Sequence, residues 1–139
     1  MSERSDVVRR LFAAVEAGDL PALLDCYGDG IEIREAPSLP YGGVYRGRRG
    51  ARDHAEAFVR AWGPYRDRRE PLGASVGETD DGRVVAVFRH RAVDEARGLW
   101  LDEDEVGIYE VRDGVVVRST MLHADPERLA RFLAPGCGR

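Results

Sequence analysis

Glu35 is the side chain of this sequence that is best placed for proton transfer. It ends a predicted strand and alternates with Ile31 and Ile33, so all three should point toward the same core side. Burial raises the pKa of a carboxyl group, and a raised pKa suits a general base that works near neutral pH. The alternative is a strand-end glutamate that pairs with one of the many arginines.

The three histidines form the second group of candidates. His123 ends the last predicted strand on its apolar face, and His90 lies on the apolar face of an earlier strand. His54 lies one turn before Phe58, at the edge of the buried side of a predicted helix. Histidine exchanges protons near neutral pH, although a lone histidine in such a position is more often a hydrogen-bonded core residue.

The acidic run from Asp102 to Glu105 falls within a predicted strand. Alternation directs Glu103 and Glu105 to the same face as Tyr109, and the two aspartates to the opposite face. Inward carboxylates could bind a cation or act as a second acid, but a solvated edge that resists aggregation is the favoured interpretation. Metal binding would require a histidine nearby in space, and the histidine spacing matches no ligand motif, so we expect no metal and no cofactor.

The remaining site candidates lie on the inward faces of predicted helices and strands, or in the loop before the third helix. As substrate-binding residues we expect Leu11, Val15, Tyr27, Tyr41, His54, Phe58, Trp62, Phe88, Glu105, Tyr109, Ser119 and Met121, with Trp100 as a further bulky wall candidate. Plain core packing explains the aromatic members equally well.

Charge and composition narrow the classes of partner. The 139 residues carry a net charge of −4, which repels nucleic acid and anionic membranes. The segment from residue 41 to residue 52 mixes two tyrosines with four arginines, and such a segment can hold a phosphate, a nucleic acid or the carboxylate of a small ligand. All 21 basic residues are arginine, which excludes lysine-dependent chemistry. With no apolar run of membrane-spanning length and no signal-like start, we expect a cytoplasmic protein without nucleic-acid or membrane partners.

The elements that position these residues predict one α+β domain over residues 1–139. Predicted helices cover about Ser5–Ala17, a short segment capped by Asp19, Arg49–Trp62 with Val59 on its buried side, and about 125–134 before a short flexible tail at 135–139. Predicted strands cover Ile31–Glu35, Pro71–Glu78, Arg83–Val93, Leu99–Arg112 and Val115–His123, with a turn at Gly28–Gly30 and an irregular loop at Ala36–Arg46. Helices followed by strands favour a cone-shaped, curved antiparallel sheet that packs on the N-terminal helices and encloses one apolar pocket.

Two stretches of the sequence resemble one known family. The first, from Val8 to Phe58, contains a helix, an EAGDL turn, a strand that ends in REAP, and a VYRG-x-x-G motif before the third helix. The second, EVRDGVVVRSTML, resembles the closing hairpin of the same family. Over nearly its whole length the chain is therefore similar to the SnoaL-like / ketosteroid-isomerase-like superfamily, which has the nuclear-transport-factor-2-like fold. These motifs are specific for the fold and weak for the reaction.

The resemblance implies roles for some of these residues. In relatives that isomerise steroids, a carboxylate base ends the first strand, and counting without a gap from AGDL places Glu35 there. Leu11 stands where those relatives have an oxyanion-hole tyrosine, and Gly107 where they have a protonated aspartic acid, which argues against steroid isomerisation. His123 stands where those relatives have an aromatic side chain that lines the pocket. Polyketide-cyclase relatives use a pocket aspartate or histidine, whereas the aspartate–arginine–aspartate set of limonene-epoxide hydrolases has no clear match.

We therefore expect a cofactor-independent acid/base enzyme of the cyclase, isomerase or epoxide-opening type, acting on a hydrophobic polyketide-like or terpenoid-like molecule. Glu35 would move the proton, and His123 or His90 would hydrogen-bond the developing oxyanion or return the proton. As in many relatives, the chain would form a homodimer through the outer sheet face. The alternative is a non-catalytic module of the same fold that binds a small molecule or a protein. An apolar cavity of at least ~300 Å³ beside Glu35 would favour the enzyme.

Overall fold

The helices and strands of the computed structural model confirm the α+β class. The structure describes residues 2–134, so the tail predicted at 135–139 lies outside the described residues. The helices are α1 (Glu3–Ala17), α2 (Leu20–Asp25), α3 (Gly47–Trp62), which continues into a 3-10 turn at Gly63–Tyr65, and α4 (Pro126–Leu133). The strands are β1 (Tyr27–Glu35), β2 (Gly43–Arg46), β3 (Ser75–Glu78), β4 (Val84–Asp94), β5 (Leu99–Arg112) and β6 (Val115–His123). Within residues 2–134, no helix has the length and apolar character needed to cross a bilayer.

The six strands form one sheet in the order β2-β1-β6-β5-β4-β3. The predicted antiparallel arrangement holds for every neighbouring pair except β1 and β6, which run parallel. In that pair Ile33 is opposite Ser119 and Arg34 is opposite Thr120. Because parallel strands end at the same edge of a sheet, the last residues of β1 and β6 lie close together.

The first half of the sheet differs from the prediction in two places. The Gly28–Gly30 segment lies inside β1 rather than in a turn, and the register of β1 against β6 shifts between Tyr27 and Glu32. A glycine-rich strand with such an irregularity has no clear period-2 pattern, which explains why the sequence suggested a turn. The predicted loop also contains β2, which pairs with β1 so that Gly43 is opposite Glu35.

The helix ends follow the local capping signals. Gly18 has the left-handed conformation that ends α1, with φ of 67°. The Asp19 side chain accepts a hydrogen bond from the backbone of Ala22 at the start of α2, and Asp125 caps α4 in the same way. The predicted burial of Val59 on α3 is wrong, because its side chain is 66% exposed. Val59 lies about 100° around the helix from Phe58, which carries it away from the sheet.

Two apolar clusters fill the interior. The first, here called the α1 core, consists of Val7, Val8, Leu11, Phe12, Leu24, Cys26, Tyr27, Ile31, Ile33, Ala51, Leu72, Val84, Ala86, Phe88, Tyr109, Val111 and Val116. The second, the α4 core, consists of Leu39, Tyr41, Trp62, Tyr65, Ala92, Leu101, Leu129, Phe132 and Leu133. The ring of His90 contacts both, because it meets Phe88 edge-on at 5.8 Å and stacks on Trp62 at 5.0 Å. The border between the two cores therefore contains a polar side chain.

Candidate acid–base site

Glu35 lies between two imidazole rings. Its Oε2 atom is 2.8 Å from Nε2 of His54, and its Oε1 atom is 3.2 Å from Nε2 of His123. Helix α3 supplies His54, while the parallel ends of β1 and β6 bring Glu35 and His123 together. Glu35 is 8% exposed, so the carboxylate is buried as the alternation predicted, and its partners are histidines rather than arginines.

The contacts continue on the far side of His123. Its Nδ1 atom is 3.4 Å from Oε1 of Glu105 and 3.9 Å from Oε1 of Glu103. Oε1 of Glu105 is in turn 2.6 Å from Nε2 of His90. All three histidines of the chain thus belong to one group, the histidine–glutamate cluster, which consists of Glu35, His54, His90, Glu103, Glu105 and His123.

The ionisation of Glu35 differs from the expectation. Burial alone would raise its pKa, but the hydrogen bonds from His123 and His54 outweigh burial and hold the pKa below the usual value of 4.5. The predicted upward shift is therefore wrong, and the group is a carboxylate near neutral pH. Burial lowers the pKa of His123, but the hydrogen bond to Glu35 and the nearby carboxyls together raise it above its usual value.

The inner half of the cluster favours neutral groups. Burial raises the pKa of Glu105 well above its usual value. Burial, followed by the charge of His123, lowers the pKa of His90 to about 4. Burial thus disfavours the charged form of both side chains that meet in the 2.6 Å hydrogen bond. The favoured interpretation of the acidic run as a solvated edge is wrong for Glu103 and Glu105, which are 6% and 3% exposed.

Aromatic rings surround the histidines. His54 meets Tyr45 edge-on at 5.0 Å and Tyr41 at 6.2 Å. Trp62 covers His90 and donates a hydrogen bond from Nε1 to the Tyr41 hydroxyl at 3.3 Å. The His54 side chain is 15% exposed whereas that of His123 is fully buried, so solvent reaches the cluster from the His54 side.

The structure separates the predicted substrate-binding residues between the two cores. Leu11, Tyr27, Phe88 and Tyr109 belong to the α1 core, with Val15 and Met121 packed against it; Tyr41 and Trp62 belong to the α4 core, with Phe58 packed against it. Ser119 is buried and donates to the sulfur of Met121 at 3.5 Å. Trp100, the further wall candidate, belongs to neither core and is 61% exposed.

The space beside Gly107 is filled. A Cβ atom on this glycine would lie 2.5 Å from the hydroxyl oxygen of Tyr109. The phenol of Tyr109 thus occupies the position where the resemblance places an oxyanion-binding carboxylic acid in steroid isomerases.

Two clefts of the described chain lie away from the histidine–glutamate cluster. One of about 740 Å³ is lined by Glu3, Arg4, Asp6, Arg10, Val111, Arg112, Asp113 and Gly114. The other, of about 210 Å³, is lined by Gly98, Leu99, Trp100, Arg128, Arg131 and Phe132. Neither of these two is lined by Glu35 or a histidine, so neither is the apolar cavity that the sequence led us to expect beside Glu35.

Sequence reasoning missed two parts of the site. Glu103 was placed on the inward face but was not assigned to the site, because the acidic run favoured a solvated edge. Tyr45 was assigned to an irregular loop, whereas it lies on β2 and contacts His54. The adjacent β-formers Val44 and Tyr45, just before Gly47 at the start of α3, were the only indication of that strand.

The chain belongs to the SnoaL-like domain family, whose model matches residues 8–119. It is 32% identical over 130 residues to an uncharacterised protein of Mycobacterium tuberculosis, a match that spans 93% of this chain and 95% of the relative. The family model confirms the family that the EAGDL and VYRG motifs suggested.

Solved structures confirm the fold. Nuclear-transport-factor-2-like proteins from Burkholderia species share it. TerC, which was co-crystallised with polyporic acid, superimposes with a TM-score of 0.75 at 19% identity, over 94% of this chain and 99% of TerC. A candidate polyketide cyclase from Pseudomonas putida superimposes with a TM-score of 0.61 at 24% identity, over 88% of this chain and 91% of the cyclase.

Proposed function

We propose that this protein is an acid–base enzyme of the cyclase, isomerase or epoxide-opening type, acting on a hydrophobic polyketide-like or terpenoid-like small molecule. The observation that carries the proposal is the Glu35 carboxylate, which is removed from solvent and held at both oxygens by imidazoles. Membership of the SnoaL-like family supports it, as does the fold shared with TerC and with a candidate polyketide cyclase.

Glu35 and His54 act as one proton-transfer pair. A carboxylate that holds one nitrogen of an imidazole fixes the orientation of the ring, so that its other nitrogen can accept and return a proton. His54 is the partly exposed member of the pair, so it lies where a substrate can approach. His123 holds the second oxygen of Glu35 and keeps that carboxylate ionised and oriented.

His54 takes the role that the sequence assigned to His90. His90 is 2% exposed beneath the ring of Trp62 and is bound to Glu105, so a substrate on the His54 side does not reach it. A reaction that removes a proton at one carbon and returns it at another needs only a pair such as Glu35 and His54, which fits isomerisation and cyclisation.

A second candidate function has its own supporting observation. The two clefts described above lie away from Glu35, and aromatic side chains pack around the histidine–glutamate cluster. Under this alternative the cluster is a structural network, and the chain binds a small molecule or a protein without catalysis.

Proton exchange from deuterated water distinguishes the two functions. The wild-type protein is incubated in D2O with a panel of activated ketones, aromatic polyketide intermediates and terpenoid epoxides, and deuterium uptake and product are followed by mass spectrometry. If the protein is an acid–base enzyme, at least one compound should take up deuterium or turn over faster than in buffer alone. The Glu35→Gln variant should lose that activity. Binding of panel members with no exchange or turnover above buffer would support the second function and contradict the first.

A further inference from the structure

The smaller of the two clefts combines an exposed indole with positive charge. It is lined by Trp100, which is 61% exposed, and by Phe132, which is 3% exposed. Among residues 2–134, Trp100 is the only aromatic residue among the exposed large apolar side chains. Burial would stabilise such a large ring, so its exposure in a cleft indicates an interaction surface.

The charged side chains that line this cleft are all basic. They are Arg128 and Arg131 of α4, and no acidic residue belongs to the lining. The larger cleft, in contrast, is lined by three arginines and three acidic residues, whose charges cancel. The smaller cleft is therefore the one that complements an anion.

The two guanidinium groups of the cleft are not used by acidic side chains of the protein. Within residues 2–134, neither Arg128 nor Arg131 forms an ion pair, although Glu127 lies one turn before Arg131. Arg97, which contacts the end of α4, is in contrast bound to Asp94 and to the Tyr65 hydroxyl, each at 2.6 Å. Arg128 and Arg131 thus retain N–H donors for the carboxylate of a ligand.

Arg128 holds the indole in place. Its Cζ atom lies 4.5 Å from the centroid of the Trp100 ring, and its Nη2 atom donates to the backbone oxygen of Trp100 at 3.3 Å. These two contacts between α4 and β5 order the ring at the cleft. A side chain that is already ordered loses little freedom when a ligand binds, which favours binding.

The size of the cleft limits the ligand to about one ring. Its volume is about 210 Å³, which is below the roughly 300 Å³ at which pockets for drug-sized molecules begin. Leu99, Trp100 and Phe132 offer apolar and aromatic surface to a ring. A planar guanidinium group can bind a carboxylate through two parallel hydrogen bonds.

We propose that this cleft binds a monocyclic aromatic carboxylate, with the ring of the ligand against Trp100 and its carboxylate on Arg131. Arg131 is the exposed arginine of the two, whereas Arg128 is stacked on the indole. The inference goes beyond the proposed function and does not rest on it, because neither Glu35 nor a histidine lines the cleft.

Fluorine NMR of the full-length protein tests the site without an activity assay. The chain has two tryptophans, so labelling with 5-fluorotryptophan gives two resonances, which the Trp100→Phe variant assigns. The protein is titrated with phenylacetate at neutral pH and constant ionic strength. We expect a saturable shift of the Trp100 resonance with a Kd on the order of 1 mM, while the Trp62 resonance stays in place.

Two further ligands separate the contributions of charge and ring. Phenylacetamide keeps the ring and lacks the charge, whereas acetate keeps the charge and lacks the ring. Each should bind at least ~10-fold more weakly than phenylacetate, because each loses one of the two sets of contacts.

Two variants locate the carboxylate of the ligand. Arg131→Gln is expected to weaken phenylacetate binding at least ~10-fold. Arg60→Gln is the matched control and should keep the wild-type affinity, because Arg60 is exposed on α3 and does not line the cleft. Far-UV circular dichroism checks that both variants fold.

Three results would overturn the inference: no saturable shift at Trp100, equal binding of phenylacetate and phenylacetamide, or equal affinity of the two variants. A Trp100 resonance that moves with protein concentration in the absence of ligand would also overturn it, because a second copy of the chain would then cover the cleft. None of these results changes the test of the proposed function, since Glu35-dependent proton exchange is measured separately.

Discussion

The carboxylate of Glu35 and the imidazole of His123 meet at 3.2 Å although 88 positions separate them in the chain. The parallel pairing of β1 with β6 produces this contact, since it places both strand ends at one edge of the sheet. An antiparallel pairing of the same strands would place the start of β6 beside Glu35. The one parallel pair of the described sheet therefore creates the site.

Gly107 should not tolerate a side chain. A Cβ atom there would lie 2.5 Å from the Tyr109 hydroxyl oxygen, so the buried ring must move. We expect Gly107→Ala to lower the free energy of unfolding by about 1–3 kcal/mol, measured by urea denaturation. Gly77→Ala on β3 is the control, because a Cβ there meets nothing within 4 Å. Equal stability of the two variants would contradict this packing.

Asp94 should make stability depend on acid pH. Hydrogen bonds from Arg97 and then Tyr65 lower its pKa from the usual 3.8 to about 2. A carboxyl whose pKa is lower in the folded state stabilises the protein fully above its unfolded pKa, and that contribution disappears as pH falls from about 3.8 toward 2. Wild type should therefore be more stable than Asp94→Asn at neutral pH, with a gap that narrows below pH 3.8. A gap that stays constant in urea denaturation down to pH 2 would disagree.

Trp62 should matter through its N–H group as well as its ring. The indole donates to the buried Tyr41 hydroxyl, and Phe in its place would leave that hydroxyl without the donor. We expect Trp62→Phe to lower the free energy of unfolding by about 1–3 kcal/mol. The exposed Trp100 gives the comparison, and Trp100→Phe should stay within about 0.5 kcal/mol of wild type. Chemical denaturation followed by circular dichroism measures both, and similar losses would argue against the Tyr41 contact.

The outer sheet face suggests a second copy of the chain as its partner. Val87, Val106 and Leu122 are cross-strand neighbours on β4, β5 and β6, and Val87 and Leu122 are 46% and 51% exposed. We propose a homodimer through this row, because exposed contiguous apolar side chains mark interaction surfaces. Light scattering should show a dimer for wild type and a monomer for Leu122→Asp. Val59→Asp, on the exposed side of α3, should remain dimeric, and a monomeric wild type would refute the interface.

The strands that the sequence predicted well are those with regular alternation. The bounds of β5 and β6 match the prediction, and Asp113 and Gly114 between them have φ values of 52° and 80°, as the Asp-Gly signal requires. The same alternation placed His90, Glu105 and His123 on the buried face. Strand β2 was missed because it has only four residues, begins at the second of two adjacent glycines and contains no fully buried residue.

The contacts within the site could not be predicted from the sequence. Alternation gives the face on which Glu35 lies, but the meeting with His54 depends on how α3 packs across the sheet. The predicted pKa shift of Glu35 had the wrong sign for this reason, since burial was known and the two imidazoles were not. The burial of Glu103 was likewise not predicted. An acidic run is usually solvated, and only the fold shows that Glu103 and Glu105 are buried.

The most direct test of the central claim compares Glu35→Gln with Glu32→Gln in turnover of the compound that the deuterium screen identifies. Glu32 lies on the same strand with ion pairs to exposed arginines, so its amide variant controls for the loss of one carboxylate. We expect Glu35→Gln to lower kcat by roughly 10²- to 10⁴-fold and Glu32→Gln to leave kcat near the wild-type value. Wild-type turnover by a folded Glu35→Gln variant would contradict the claim that the Glu35–His54 pair moves the proton.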